Sequence, residues 1–119
     1  MKVPLKPLYW LGSSLKDLKG MPEEVRDSFG HALYLAQAGD RHQSAKTLKG
    51  FSGAGVIEVV ADYTNSTYRA VYTIEYKNAV YVLHVFQKKS KSGIATPQQE
   101  IELIKNRLKL AHEIEKRKG

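Results

Sequence analysis

The sequence has 119 residues, with 19 Lys and Arg against 12 Asp and Glu, a formal net charge of +7 and no Cys. Such a length suits one domain, here residues 1–119, that buries a core without covalent staples, and the missing Cys excludes a disulfide framework, a thiolate nucleophile and a Cys-based metal site. Mean hydropathy is −0.41, and no apolar run approaches the ~18–20 residues of a membrane span. The opening MKVPLKPLYWLG is broken by Pro4 and Pro7 and lacks the apolar core of a secretion signal, so the expected compartment is the cytoplasm.

In chain order, Leu5, Tyr9, Trp10 and Leu11 suit a short strand that starts behind proline. Ser13 or Ser14 can cap a short helix ending at Gly20, with Leu15 and Leu18 on one face. Pro22 suits the start of a second helix. Glu23 and Glu24 favour its positive end, Val25, Phe29, Leu33 and Ala36 repeat at helical spacing, and Gly39 closes it. These two helices form an expected αα-hairpin. Residues 40–55 read as an irregular loop. Three strand runs follow: Val56–Ala61, Tyr68–Tyr76 and Ala79–Phe86, the last two joined by a tight turn at Lys77–Asn78. A last helix starts at Thr96–Pro97, with Thr96 as cap and Glu100 placed for a capping box. Ile101, Ile104, Leu108 and Ala111 share one face of it and Leu103, Leu110 and Ile114 a second, so burial on two sides or against a partner is expected. The fold class is α+β: a small antiparallel β-sheet with an N-terminal αα-hairpin and a C-terminal helix.

The positive charge is clustered. Lys88, Lys89 and Lys91 lie within four residues, and the stretch from Lys105 to Lys118 carries six basic residues. Such a field draws polyanions, nucleic acid first, although surplus lysine also serves solubility alone. The histidines His31, His42, His84 and His112 show no metal-pair spacing, so no metal and no cofactor are expected. A stripe of Tyr68, Tyr72, Tyr76 and Tyr81 reads as a packed sheet face rather than a base-stacking platform.

The runs LKGFSGAGVIEVV, TYRAVYTI and YVLHVFQKKSKSGIATPQQEI, with WLGSSLKDLKGMPEEVR before them, resemble the HigB-like, phage-derived branch of the RelE/ParE toxin superfamily. The shared features are a Leu-Lys-Gly loop, a Tyr-Arg-x-x-Tyr strand, a strand ending Leu-His-x-Phe-x-Lys-Lys, and a proline-started helix. The resemblance implies a small antiparallel sheet with helices on one side. It also implies a toxin of a type II toxin–antitoxin module, most often a ribosome-dependent mRNA endonuclease. The implied partners are a helix-turn-helix antitoxin, mRNA and the ribosome, with operator DNA reached only through the antitoxin and no membrane. The alternatives are a non-catalytic ParE-like inhibitor of a DNA topoisomerase and a basic nucleic-acid-binding module.

Metal-free RNA cleavage by the adjacent 2′-hydroxyl needs a proton acceptor, compensation of charge on the phosphoryl oxygens, and a proton for the departing 5′-oxygen. Lysine among other cations loses proton affinity and can act as a base, while arginine stays charged and its fork suits phosphate. On the resemblance, Arg69 is the phosphate clamp and Lys89 the charge stabiliser or acid. The hairpin register decides whether Lys88 or Lys89 joins Arg69: a two-residue turn puts Arg69 opposite Phe86 with Lys88 diagonal, a three-residue loop brings Lys89. Lys46, Lys49 and Lys91 are candidate RNA contacts, Lys49 on the Leu-Lys-Gly match. His84, between Val82 and Phe86, is either an acid–base group or a hydrogen-bonded structural residue. Two departures touch this site. Where the family's strand often reads Glu-Leu-Arg the chain has Glu58-Val59-Val60, and no tyrosine follows Tyr81.

Overall fold

The β-branched and aromatic runs do form the strands that carry the molecule. In the computed structural model, which describes residues 4–51, 53, 55–88 and 96–118, the strands are β1 (Leu8–Trp10), β2 (Lys46–Thr47), β3 (Val56–Tyr63), β4 (Ser66–Thr73) and β5 (Val80–Lys88). The helices are α1 (Ser14–Lys19), α2 (Glu23–Gln37) and α3 (Gln98–Arg117). The sheet order is β1-β5-β4-β3-β2, antiparallel throughout except that β1 runs parallel to β5. A chain that leaves β1 through two helices and more than half its length can return beside β1 in either direction, so sequential hairpins were no guide there.

The helices do not share one side of the sheet, as the family resemblance implied. Val25, Phe29 and Leu33 of α2 and Leu18 of α1 cover Ile57, Val59, Tyr68, Ala70, Tyr72, Val80, Val82 and Val85. Ile104, Leu108 and Ala111 of α3 cover Val56, Val71, Tyr81, Leu83 and Phe86 on the opposite face. The reason is visible in β5, whose residues from Val80 to Phe86 are all buried. A strand apolar on both faces must be covered on both. The tyrosine stripe is split accordingly, Tyr68 and Tyr72 under the N-terminal helices and Tyr81 under α3.

Local signals held at the middle of the chain. Past Ala38, Gly39 takes φ +81°, its N–H donating to Ala36 O and that of Asp40 to Leu35 O, the paired bonds of a Schellman end to α2. Others yielded. The expected loop 40–55 contains β2, which pairs Lys46 with Glu58. The turn at Lys77–Asn78 is not a two-residue hairpin, because β4 stops at Thr73 and β5 starts at Val80. Ile74 N–H is taken by Gly55 O and Glu75 N–H by Thr73 Oγ1, which draws this backbone away from β5. An irregularity at Val71/Tyr72 then shifts the β4–β5 pairing by one residue, so Arg69 faces Phe86 and Thr67 faces Lys88. Arg69 thus has the register of the two-residue case, reached through a longer connection and a bulge.

Candidate functional site

Sheet alternation sends Arg69 and Val71 of β4 and Glu58 of β3 to the α3 side, and antiparallel pairing sets Glu58 one diagonal from Arg69. There Arg69 Nη1 donates to Glu58 Oε2 at 2.8 Å, with side-chain exposures of only 7% and 5%. Thr96 Oγ1 donates to the same carboxylate oxygen at 3.1 Å. The pair forms the floor of an open groove of about 510 Å³. Its walls are the β2 segment and the turn after it, with Lys46, Lys49 and the apolar Leu48, and the first turns of α3, with Ile101 and Lys105.

Lys88 lies on the same face, diagonal to Arg69, and is itself buried. Burial pushes its pKa below the ordinary lysine range, the Arg69 guanidinium adds to that, and Glu58 opposes it. A lysine in this setting carries a larger neutral fraction than a surface lysine, which is what a proton acceptor needs. The structure therefore brings Arg69, Lys88, Lys46 and Lys49 to one region. Lys89 and Lys91 lie outside the described residues.

His84 is elsewhere. It stacks on Phe86 with ring centroids 4.5 Å apart, and its Nε2 meets Glu100 Oε2 at 2.6 Å. Arg107 Nη1 donates to Leu83 O at 2.8 Å and approaches His84 Nδ1 at 3.5 Å. Burial holds the His84 pKa below the usual value, Arg107 acting in the same direction and Glu100 against it. The neutral ring with Nε2–H donated to Glu100 and Nδ1 turned to Arg107 satisfies both neighbours. This assembly borders a second groove of about 400 Å³, lined also by Asp17, Met21 and Gln87, with no lining residue in common with the first.

Thr96 and Glu100 do not form the expected capping box. Pro97 occupies the N-cap of α3 with no side-chain cap bond. Thr96 turns instead to Glu58 and Glu100 to His84, so the helix gives up a local cap and each side chain serves a different groove. Sequence reasoning missed Glu58, Thr96 and Lys105 as members of the site. The signal for Glu58 was present: one carboxylate inside the apolar run Val56–Val60 must find a partner once buried. Gln98, Ile101 and Lys105 also recur at helical spacing, which puts them on one side of α3.

Among the described residues, no group of three or more His, Asp or Glu could hold a metal ion, and no helix is long and apolar enough to cross a membrane. The fold is similar to that of the E. coli toxin RelE, seen as a doubly substituted mutant in its free state, with a TM-score of 0.52 at 22% identity over 68% of this chain and 81% of that one. A further match, at 17% identity and a TM-score of 0.48 over 75% of this chain and 98% of the other, is the toxin–antitoxin complex RelBE2 of Mycobacterium tuberculosis. No curated protein matches the sequence. The family model described as phage derived protein Gp49-like matches residues 16–109, and the chain belongs to that family.

Proposed function

We propose that this Gp49-like protein is the toxin of a type II toxin–antitoxin system and cleaves mRNA without a metal during translation. The observation that carries the reading is the convergence of a guanidinium and several ammonium groups on one groove, beside a buried lysine of lowered proton affinity. In this reading Arg69 holds the non-bridging oxygens of the scissile phosphate through its planar fork. Neutral Lys88 accepts the proton of the 2′-hydroxyl, whose oxygen attacks phosphorus. The bond from phosphorus to the 5′-oxygen breaks, leaving a cyclic phosphate, and an ammonium of the groove wall, Lys46 or Lys49, protonates the departing oxygen. Lys105 holds a neighbouring phosphate, and Lys89 and Lys91, one and three residues after Lys88 in the sequence, add positive charge for the RNA. His84, committed to Glu100 and Arg107, stays outside the reaction and helps seat α3.

The partner in this reading is a small helix-turn-helix antitoxin, through which alone operator DNA is bound, and the site of action is the cytoplasm. Inducing the chain alone is expected to arrest growth and truncate translated mRNAs. Arg69→Lys combined with Lys88→Met keeps the volume of both side chains and is expected to relieve both effects. Arrest with intact mRNA and broken DNA selects a ParE-like topoisomerase inhibitor instead. RNA binding with neither arrest nor cleavage selects a plain nucleic-acid-binding module.

A further inference from the structure

The resting groove is not an empty cationic site, because its most buried cation already holds an anion. Arg69 and Glu58 are each more than nine-tenths buried, yet both border open space rather than closed core. A carboxylate offers a guanidinium the same kind of acceptor edge that a phosphate does. We propose that the Glu58 carboxylate is the built-in occupant of the phosphate seat on Arg69, and that an RNA phosphodiester binds by exchanging with it. This rests on the ribonuclease reading of the groove.

The surroundings make exchange feasible. Removing one member of a buried ion pair strands the other, and that is the main cost of such a step. Here the carboxylate has one further partner and one neighbouring cation within the same groove. Thr96 Oγ1 already donates to Oε2, and Lys46 is the cross-strand neighbour of Glu58, with its side chain on the groove wall. A carboxylate that leaves Arg69 can keep the hydroxyl and gain the Lys46 ammonium while the incoming phosphate takes the guanidinium, so no charge is left without a counter-charge. The same arrangement sets a threshold. A lone small anion must outcompete Glu58 at one point, whereas a polynucleotide adds contacts at Lys49 and Lys105, so the seat favours an RNA chain over a free anion.

The test uses the full chain and inorganic phosphate, titrated at constant ionic strength against chloride. The side-chain carboxyl carbon of Glu58 and the guanidinium nitrogens of Arg69 are followed by NMR. Both resonances are expected to move together along one saturation curve, and Glu58→Gln is expected to bind phosphate about tenfold more tightly, the effect of removing one competing charge. Arg69→Lys on the Glu58→Gln background should lose that gain. Phosphate that leaves both resonances in place overturns the proposal, as does a folded Glu58→Gln that binds phosphate no better than the wild type. If Glu58→Gln fails to fold, the wild-type titration decides. Exchange at Arg69 in a chain that leaves mRNA intact on induction would remove the ribonuclease reading while leaving the exchange itself in place.

Discussion

Lys88 and His84 lie four residues apart on β5, and burial lowers the proton affinity of both, but the consequences differ because their partners differ. Among the described residues Arg69 and Glu58 are charged neighbours of Lys88, and burial is the larger influence. If its neutral amine is the proton acceptor, the cleavage rate rises with pH as the ammonium deprotonates, and the midpoint falls below the 10.5 of an ordinary lysine. A pH–rate profile of purified chain on translated message checks this, and Lys88→Arg, which stays charged, should abolish the rising limb. His84 bears on stability. Its folded-state pKa lies below the unfolded value of 6.5, so its contribution is complete above that pH. As pH falls the unfolded chain takes up the proton first, and stability declines until the folded pKa is passed. Urea unfolding followed from neutral to acid pH should show this decline, and His84→Gln, which retains an N–H for Glu100, should remove the histidine's share of it.

The elements were legible in proportion to how local their causes are. Helix α2 was readable almost in full because Val25, Phe29, Leu33 and Ala36 mark one buried face and Gly39 supplies the left-handed end. The β4–β5 connection was not, because Ile74 answers to Gly55, just ahead of β3, and not to its own hairpin. Likewise α3 begins where expected, but its first-turn side chains Thr96 and Glu100 are recruited by strands distant in sequence. The junction between β1 and α1 depends on one such distant contact. Gly12 has φ +56°, and a Cβ there would lie 2.6 Å from the Arg107 guanidinium carbon. Arg107 cannot simply swing away without losing Leu83 O, one of the contacts that tie α3 to β5. Gly12→Ala is therefore expected to destabilise the chain by about 1–3 kcal/mol, from the left-handed backbone and the displaced arginine together. Thermal or urea unfolding gives the value, and Arg107→Ala on that background should recover none of the backbone part.

Across the whole molecule the groove exists only because the two-faced sheet carries α3 on the side away from α1 and α2. That placement closes the distance between the β2 segment and the start of α3, which are about half the chain apart in sequence, and brings Lys46, Lys49 and Lys105 around Arg69. The net charge of +7 draws a polyanion to the surface, while the groove selects where it settles. With Lys46 meeting Glu58, if Arg69, Lys49 and Lys105 each neutralise a phosphate of single-stranded RNA, log affinity should fall against log salt with a slope of about −2. Filter binding of an uncleavable 2′-deoxy-substituted oligonucleotide measures it, and Lys49→Gln or Lys105→Gln should each flatten the slope by about 0.7. A slope unaffected by either change would place the RNA elsewhere on the surface.

The α+β class, the three main strands, the second and third helices and the cationic bias were determined by the sequence alone, since periodicity, β-branching and charge are properties of neighbouring residues. Arg69 was legible as a candidate mainly through the resemblance of its Tyr-Arg-x-x-Tyr strand to the toxin family. What it faces was decided only by tertiary structure. The parallel seat of β1, helices on both faces, the bulge that fixes the Arg69 register, and the carboxylate of Glu58 on its guanidinium all depend on pairings between segments far apart in the chain. Such pairings are chosen by the joint burial of both sheet faces and by the need of each buried charge for a partner, and no single stretch of sequence carries that information.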